Sequence, residues 1–356
     1  MIIHFISDSI YTRNFIEFVN SYFDPRGHFF VIYGGKESSF NEFYINQPNC
    51  QLSKSALDFI LGYKKIKNSS RIVIHQLNNI KLMLFILFCY HKAFDKIIWV
   101  IWGGDLYFYK ICNDSLYNRF IESIRKVFIR RLRYISSYIF GDYKVSKKVY
   151  NHSAQYVKSW YPGTIDFDFV QKFEPMKSSG KFTKILAGNS ADPNNNHLEI
   201  FEILSKFSNS DIHIYVILSY GGGLQYINEV KLKGRSLFKD KITFIDDYMS
   251  KDEYFDFLKN VDICVFNHYH QQGLGNINLL LCIYKKVYIQ SITTPYNYYR
   301  EMGVNIFDTD EIQNSSFSEF IYLSESAAEF NKQKMLQDLD SSTILKNWKS
   351  LFYGDR

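Results

Sequence analysis

The sequence predicts an α/β protein built from two doubly wound, Rossmann-like parallel sheets. Three observations lead there. Short apolar runs of strand length alternate with longer runs of helical spacing along almost the whole chain. The alternation pauses once, in a connector near 160–168, and then starts again. At 356 residues the chain exceeds one ordinary core, so two domains are expected. They are set at 1–160 and 161–356, which leaves open whether the final helix crosses back.

The elements follow in order. Met1–Ile6 (MIIHFI) is apolar and too short for a helix, so it is a strand. Arg13–Tyr22 carries Phe15, Ile16 and Val19 at helical spacing. Phe29–Tyr33 (FFVIY) is aromatic and β-branched and stops at Gly34-Gly35, so it is a strand. Ala56–Lys64 is expected to be helical, Arg71–His75 (RIVIH) a strand, Ile80–His91 an apolar helix and Lys96–Trp102 a strand. Leu116–Tyr134 is a long helix, followed by a short strand at Tyr138–Phe140. In the second series the strands are Phe182–Ala187, His213–Leu218, Ile242–Phe244, Val261–Phe266 and Lys286–Gln290. The helices between them are His197–Phe207, Leu224–Phe238 and Lys251–Asn260. Two βα series of this kind imply parallel sheets covered on both faces.

Composition narrows the class. No window reaches the roughly 18 uncharged apolar residues of a membrane span. The N-terminus runs straight into a strand, with no basic segment or cleavage site of a signal peptide. The five cysteines are scattered and lack metal spacing, so they are expected to be reduced packing residues of a cytoplasmic protein. Charge is uneven. Residues 1–160 hold 22 Lys and Arg against 11 Asp and Glu, a net of +11, and the remainder nets −5, which together give the formal +6. Much of the excess lies in 119–133, where Phe120, Ile121, Ile124, Phe128, Ile129 and Leu132 recur at helical spacing. That helix is amphipathic with a basic face at Arg125, Lys126, Arg130 and Arg131. Two readings stand: a solvated surface, or a face resting on anionic lipid or a lipid diphosphate. No nucleic-acid motif accompanies it, so no nucleic-acid partner is expected.

Chemistry concentrates at strand ends, where doubly wound sheets bind ligands. The richest is Asn267–Leu281 (NHYHQQGLGNINLLL), after the strand Val261–Phe266. It offers His270, Gln271 and Gln272, then Gly273, Gly275 and Asn276 opening a helix. Glycines let a ligand near the backbone, and a helix N-terminus presents unpaired N–H groups to an anion. A ligand-free capping loop has a similar sequence. A second glycine-led turn, Gly188-Asn189-Ser190, follows Phe182–Ala187, and Asn194–Asn196 are N-cap candidates beside it. In the first half, Ser7-Asp8-Ser9 ends the first strand and His75-Gln76-Leu77-Asn78 the strand RIVIH. Trp102-Gly103-Gly104-Asp105-Leu106-Tyr107 ends the strand KIIWVI. His75 is a base or a satisfied hydrogen-bonding residue. Asp105 is a base for an attacking hydroxyl or a helix cap. Asp-x-Asp triplets at 166–168, 308–310 and 338–340 lack a strand-end context, so no metal and no cofactor is expected.

Two such domains facing one another across a cleft is the plan of the GT-B glycosyltransferases. The segments IWGGDLY (101–107), LAGNSADPNNNH (186–197) and HQQGLGN (270–276) carry a closer likeness. In this order they resemble the TDP-N-acetylfucosamine:lipid II N-acetylfucosaminyltransferase family, glycosyltransferase family 56. IHFISDSI, the HQLN turn, SWYPGTID and Pro295–Val304 extend the resemblance over most of the chain. His270 stands where that family's pattern carries arginine, and Gly104 where it carries alanine. The resemblance implies transfer of a 4-amino-4,6-dideoxyhexose from a dTDP-sugar donor to a polyprenyl-diphosphate-linked acceptor. It places that reaction in O-antigen or enterobacterial common antigen assembly, at the cytoplasmic surface of the inner membrane. The 270–276 loop would then hold the donor diphosphate, and Gly188, Asn189 and Ser190 would line the opposite wall, against phosphate or the nucleoside. Asp105 or His75 would face the acceptor hydroxyl, and the basic helix would meet the acceptor's diphosphate or the membrane. A GT-B-shaped sugar-nucleotide epimerase and an inert sugar-nucleotide-binding partner are the alternatives.

Overall fold

The computed structural model describes residues 1–33, 41–53, 63–162, 167–175 and 181–354. The chain forms two compact units, Met1–Thr164 with Leu339–Arg356, and Ile165–Asp338. The sequence boundary stood at 160; the contacts divide at 164, and the last helix belongs to the first unit.

The first unit is a seven-stranded sheet of β1 (Ile2–Ser7), β2 (His28–Tyr33), β3 (Cys50–Ser53), β4 (Arg71–His75), β5 (Ile97–Val100), β6 (Tyr134–Ser137) and β7 (Gln155–Lys158). Its order is β3-β2-β1-β4-β5-β6-β7, and every pairing is parallel. One face packs Trp99, Phe94, Phe128 and Ile129 with the helices Ile80–Cys89 and Leu116–Arg130. The other packs Phe15, Phe30, Trp348 and Phe352 with the helix Ile10–Tyr22 and the last helix, Ser341–Tyr353. Strands covered on both faces must be apolar throughout, and Ile97–Val100 (IIWV) is buried at every position.

The second unit is a six-stranded sheet of β8 (Thr183–Ala187), β9 (Ile212–Ile217), β10 (Ile242–Ile245), β11 (Ile263–Phe266), β12 (Lys286–Ile289) and β13 (Phe307–Asp308). Its order is β10-β9-β8-β11-β12-β13, again wholly parallel. In each sheet the winding direction reverses once, between β1 and β4 and between β8 and β11. Beyond the carboxyl ends of such a pair the loops diverge and leave a crevice.

Three expectations need correction. The long helix stops at Arg130, and the strand runs Tyr134–Ser137 rather than 138–140. Phe140 opens a helix to Tyr150 instead. The short strands β3 (CQLS) and β7 (QYVK) were not expected. Most of the helix placed at 56–64 lies outside the described residues.

Candidate functional site

The two glycine-led turns of the second half come together. Gly188-Asn189-Ser190 follows β8 and Asn267–Gly273 follows β11, neighbours at the point of reversal. Gly188 has φ +71°, and a Cβ there would lie 2.5 Å from His197 Nε2 and 3.0 Å from Asn195 Oδ1. Only glycine fits. Gly273 has φ +68°, and its Cβ would meet His268 Cε1 at 3.5 Å and Asn189 Nδ2 at 3.6 Å. The Asn189 amide therefore lies against the second loop.

Asn195 binds the cluster together. Its Oδ1 accepts from the Asn189 N–H at 2.8 Å and lies 3.0 Å from His268 Nε2. Its Nδ2 donates to Ser190 Oγ at 3.1 Å and the Asp192 carbonyl at 3.0 Å. Asn196, in the left-handed region at φ 53°, is the N-cap position but makes no side-chain cap. Its amide donates instead to the Asn267 carbonyl at 2.7 Å, joining the two loops.

The helix after the second loop, Leu274–Cys282, begins at Gly273 without a side-chain cap. Its first-turn N–H groups at Leu274, Gly275 and Asn276 are thus left for water or a ligand. A Cβ on Gly275 would meet nothing within 4 Å, so that approach is open. Four buried polar atoms around this point have no partner: Asn189 Oδ1, His197 Nε2, Gln271 Oε1 and Gln272 Oε1. An amide can turn either end toward a ligand. Burial holds His268 at about 3 and His197 at about 4, so both imidazoles are neutral. His270 is buried at 6% exposure rather than standing free in the loop.

A ring of residues that the sequence did not single out supports the loop. Asn267 Oδ1 accepts from Gln290 Nε2 at 2.6 Å and Thr309 Oγ1 at 2.9 Å, tying β11 to the chain beyond β12 and β13. Its Nδ2 donates to Glu199 at 2.6 Å, which also accepts from Tyr269. Asn267, Gln290 and Thr309 each stand one residue past a strand, and that position was their sequence signal.

In the first unit both candidate bases are buried and hydrogen-bonded internally. Asp105 is 1% exposed. Its Oδ2 accepts from the Leu77 N–H at 2.9 Å and the Trp99 indole at 2.6 Å, and Oδ1 from the Trp102 N–H at 2.9 Å. A base must reach the proton it removes; this carboxylate instead joins the turn after β4 to the turn after β5. His75 is fully buried. Its Nδ1 bonds the Tyr161 hydroxyl, and its Nε2 lies 3.1 Å from His4 Nδ1. The chain of contacts continues from His4 Nε2 to His28 Nδ1 at 3.0 Å and from His28 Nε2 to the Tyr353 hydroxyl at 3.3 Å. Burial lowers His75 to about 3 and His28 to about 4, and His4 well below its ordinary value. Among the described residues, a carboxylate at this edge that is not buried is Asp8, directly after β1.

The basic face also changes. Arg125 is 1% exposed; its guanidinium donates to the Leu77 and Asp105 carbonyls and pairs with Glu122 at 3.1 Å. It is an internal strut. Lys126, Arg130 and Arg131 are exposed, with Arg130 Nε donating to the Tyr150 carbonyl at 3.0 Å. Phe120, expected on the packed side, is 60% exposed, alongside Leu116 at 83% and Val127 at 46%. Positions 116, 120 and 127 share one side of the helix, so apolar groups line its outer face as well as its inner one. Among the described residues no helix is long and apolar enough to cross a membrane, and no His, Cys, Asp and Glu trio could hold a metal. Asp166 lies outside the described residues.

The chain belongs to the 4-alpha-L-fucosyltransferase family, glycosyl transferase group 56, whose family model matches residues 2–334. It is a nucleotide-sugar-dependent glycosyltransferase. Solved structures agree on the fold. A glycosyltransferase from Rickettsia africae ESF-5 superposes with a TM-score of 0.67 at 12% identity over 99% of each chain. Anabaena Alr3699/HepE in complex with UDP and glucose gives 0.70 at 10% over 98% of each. WaaG, a glycosyltransferase involved in lipopolysaccharide biosynthesis, gives 0.62 at 8% over the whole of each. The architecture is GT-B, two parallel-sheet α/β domains.

Proposed function

We propose that this glycosyltransferase moves a 4-amino-4,6-dideoxyhexose such as N-acetylfucosamine from a dTDP donor to a polyprenyl-diphosphate-linked glycan. The setting is O-antigen or enterobacterial common antigen assembly on the cytoplasmic face of the inner membrane. One observation carries the donor half: the Gly188 and Gly273 turns meet at the open N-terminus of the helix Leu274–Cys282.

Breaking the anomeric bond leaves negative charge on the departing diphosphate. First-turn N–H groups and the positive end of the helix dipole stabilise that charge as it forms, with no reorganisation. The N–H groups of Leu274, Gly275 and Asn276 serve that role, with Gln271, Gln272 and Asn189 turning their amides to the same anion. Ser190 and Gly188 line the neighbouring turn. His270 is buried within the same loop. Neutral His197 and His268 keep the pocket polar without fixed charge. The dTDP and sugar identities rest on the family resemblance.

The membrane half rests on the helix Leu116–Arg130. Its outer apolar positions, flanked by Lys126 and Arg130, have the make-up of a helix lying in an anionic bilayer surface. Purified protein incubated with dTDP- and UDP-sugars, with and without a polyprenyl-diphosphate glycan, tests the proposal. Nucleotide release that requires acceptor and prefers dTDP supports it. Sugar interconversion without acceptor would replace it with the epimerase.

A further inference from the structure

Sugar transfer to a hydroxyl releases one proton, and the two groups expected to take it are buried with their polar atoms engaged. The crevice of the first sheet, between β1 and β4, offers another carboxylate. Asp8 follows β1, and its N–H still donates to the Tyr33 carbonyl on β2 at 3.0 Å, so its backbone is fixed. Its Oδ1 accepts from the Tyr44 hydroxyl at 2.6 Å, and Tyr44 is 1% exposed, so the phenol cannot swing away. Among the described residues Oδ2 has no hydrogen-bond partner and is not one of the buried orphan atoms, and Asp8 is only half-buried. Opposite, after β4, Gln76 holds a left-handed φ of 65° and accepts from Ser7 Oγ at 3.2 Å. Non-glycine residues in that region are sparse and gather at functional edges.

We infer that Asp8 is the general base of the transfer. The inference rests on the reading of the substrate as a hydroxyl acceptor. The acceptor O–H gives its proton to Asp8 Oδ2. The acceptor oxygen bonds the anomeric carbon, and the bond from that carbon to the diphosphate breaks, its electron pair leaving with the diphosphate. Tyr44 is a positioning residue: its hydrogen bond occupies one carboxylate oxygen and aims the other outward. Among the described residues the titratable groups on surrounding elements include Tyr33 on β2, Tyr44, neutral His75 on β4 and the Arg13–Glu17 pair on the next helix.

The experiment uses the full chain, a dTDP-sugar and a polyprenyl-diphosphate glycan, with dTDP affinity followed separately by titration. Asp8→Asn should lower kcat by roughly 10²- to 10⁴-fold, the usual share of general base catalysis, with dTDP affinity unchanged. Tyr44→Phe frees the first carboxylate oxygen and lets the group rotate, so kcat should fall while KM for the acceptor and dTDP affinity hold. Asp8→Asn turning over within about threefold of wild type overturns the assignment. Failure of wild type to bind dTDP overturns the donor reading instead. A substrate-independent arm labels carboxylates of the native protein with carbodiimide and glycine ethyl ester, mapped by mass spectrometry. Asp8 should label and Asp105 should not; an unreactive Asp8 also overturns the assignment.

Discussion

The two crevices are built at the same point of the same topology, yet they are lined with opposite chemistry. The one at β8 and β11 is glycine, amide and neutral imidazole around an open helix end. The one at β1 and β4 has a half-buried carboxylate, while Asp105, Arg125 and the histidine chain are buried. A site for a departing diphosphate must offer donors and no negative charge. A site for an attacking hydroxyl must offer an acceptor for its proton. The shared geometry supplies position only; the side chains set which charge suits each crevice.

The sharpest way to break that contrast is to put charge into the uncharged crevice. Gly273→Asp, at a left-handed position beside Asn189, should abolish donor binding, a loss of over 100-fold in dTDP affinity measured by titration. Normal turnover of this variant would end the anion-site assignment. Next in size is the buried carboxylate. Asp105→Ala strands two backbone N–H groups and the Trp99 indole, and should cost about 3 kcal/mol or more in urea denaturation. If the loss is instead in kcat with stability intact, Asp105 is catalytic after all.

The buried imidazoles predict a pH effect shared by both units. His28, His75, His197 and His268 are held at about 4, 3, 4 and 3, against roughly 6.5 in the unfolded chain. Above pH 6.5 both states are neutral and stability is full. Below it the unfolded chain takes up protons that the folded chain refuses, so stability falls as pH drops toward 4 and on to 3. Each site contributes up to about 1.4 kcal/mol per pH unit in that window. Urea midpoints that stay flat from pH 7 to 4.5 would contradict it. The smallest effect concerns the outer helix face. Leu116→Ser with Phe120→Ser should change stability by about 0.5 kcal/mol or less, as exposed substitutions do. It should still weaken binding to anionic vesicles by roughly tenfold, given the apolar area removed. Equal vesicle binding would leave the stripe without a membrane role.

Much of the fold was legible because fully covered parallel strands must be continuous apolar runs, as in RIVIH and ICVF. The edge strands CQLS and QYVK are only partly covered and carry no such mark. Gly188 and Gly273 were legible as turns; their meeting was not, because it depends on which strands become neighbours. Arg125 could have been placed better. It lies three and four residues before Phe128 and Ile129, on the inner stripe, where an arginine needs carbonyl partners. His4, His28 and His75 are far apart in sequence, and nothing local marks them as one chain of contacts.

The last helix has a consequence for how the chain is made. Trp348 and Phe352 on it complete the layer that covers Phe15 and His4, while the second unit is encoded in between. During translation the first unit therefore leaves the ribosome with one face only partly covered, by the helix Ile10–Tyr22. It cannot close until residues 341–353 have been synthesised, after every strand of the second sheet. A stalled or prematurely stopped chain would expose aromatic surface, which makes it a substrate for chaperones and proteases.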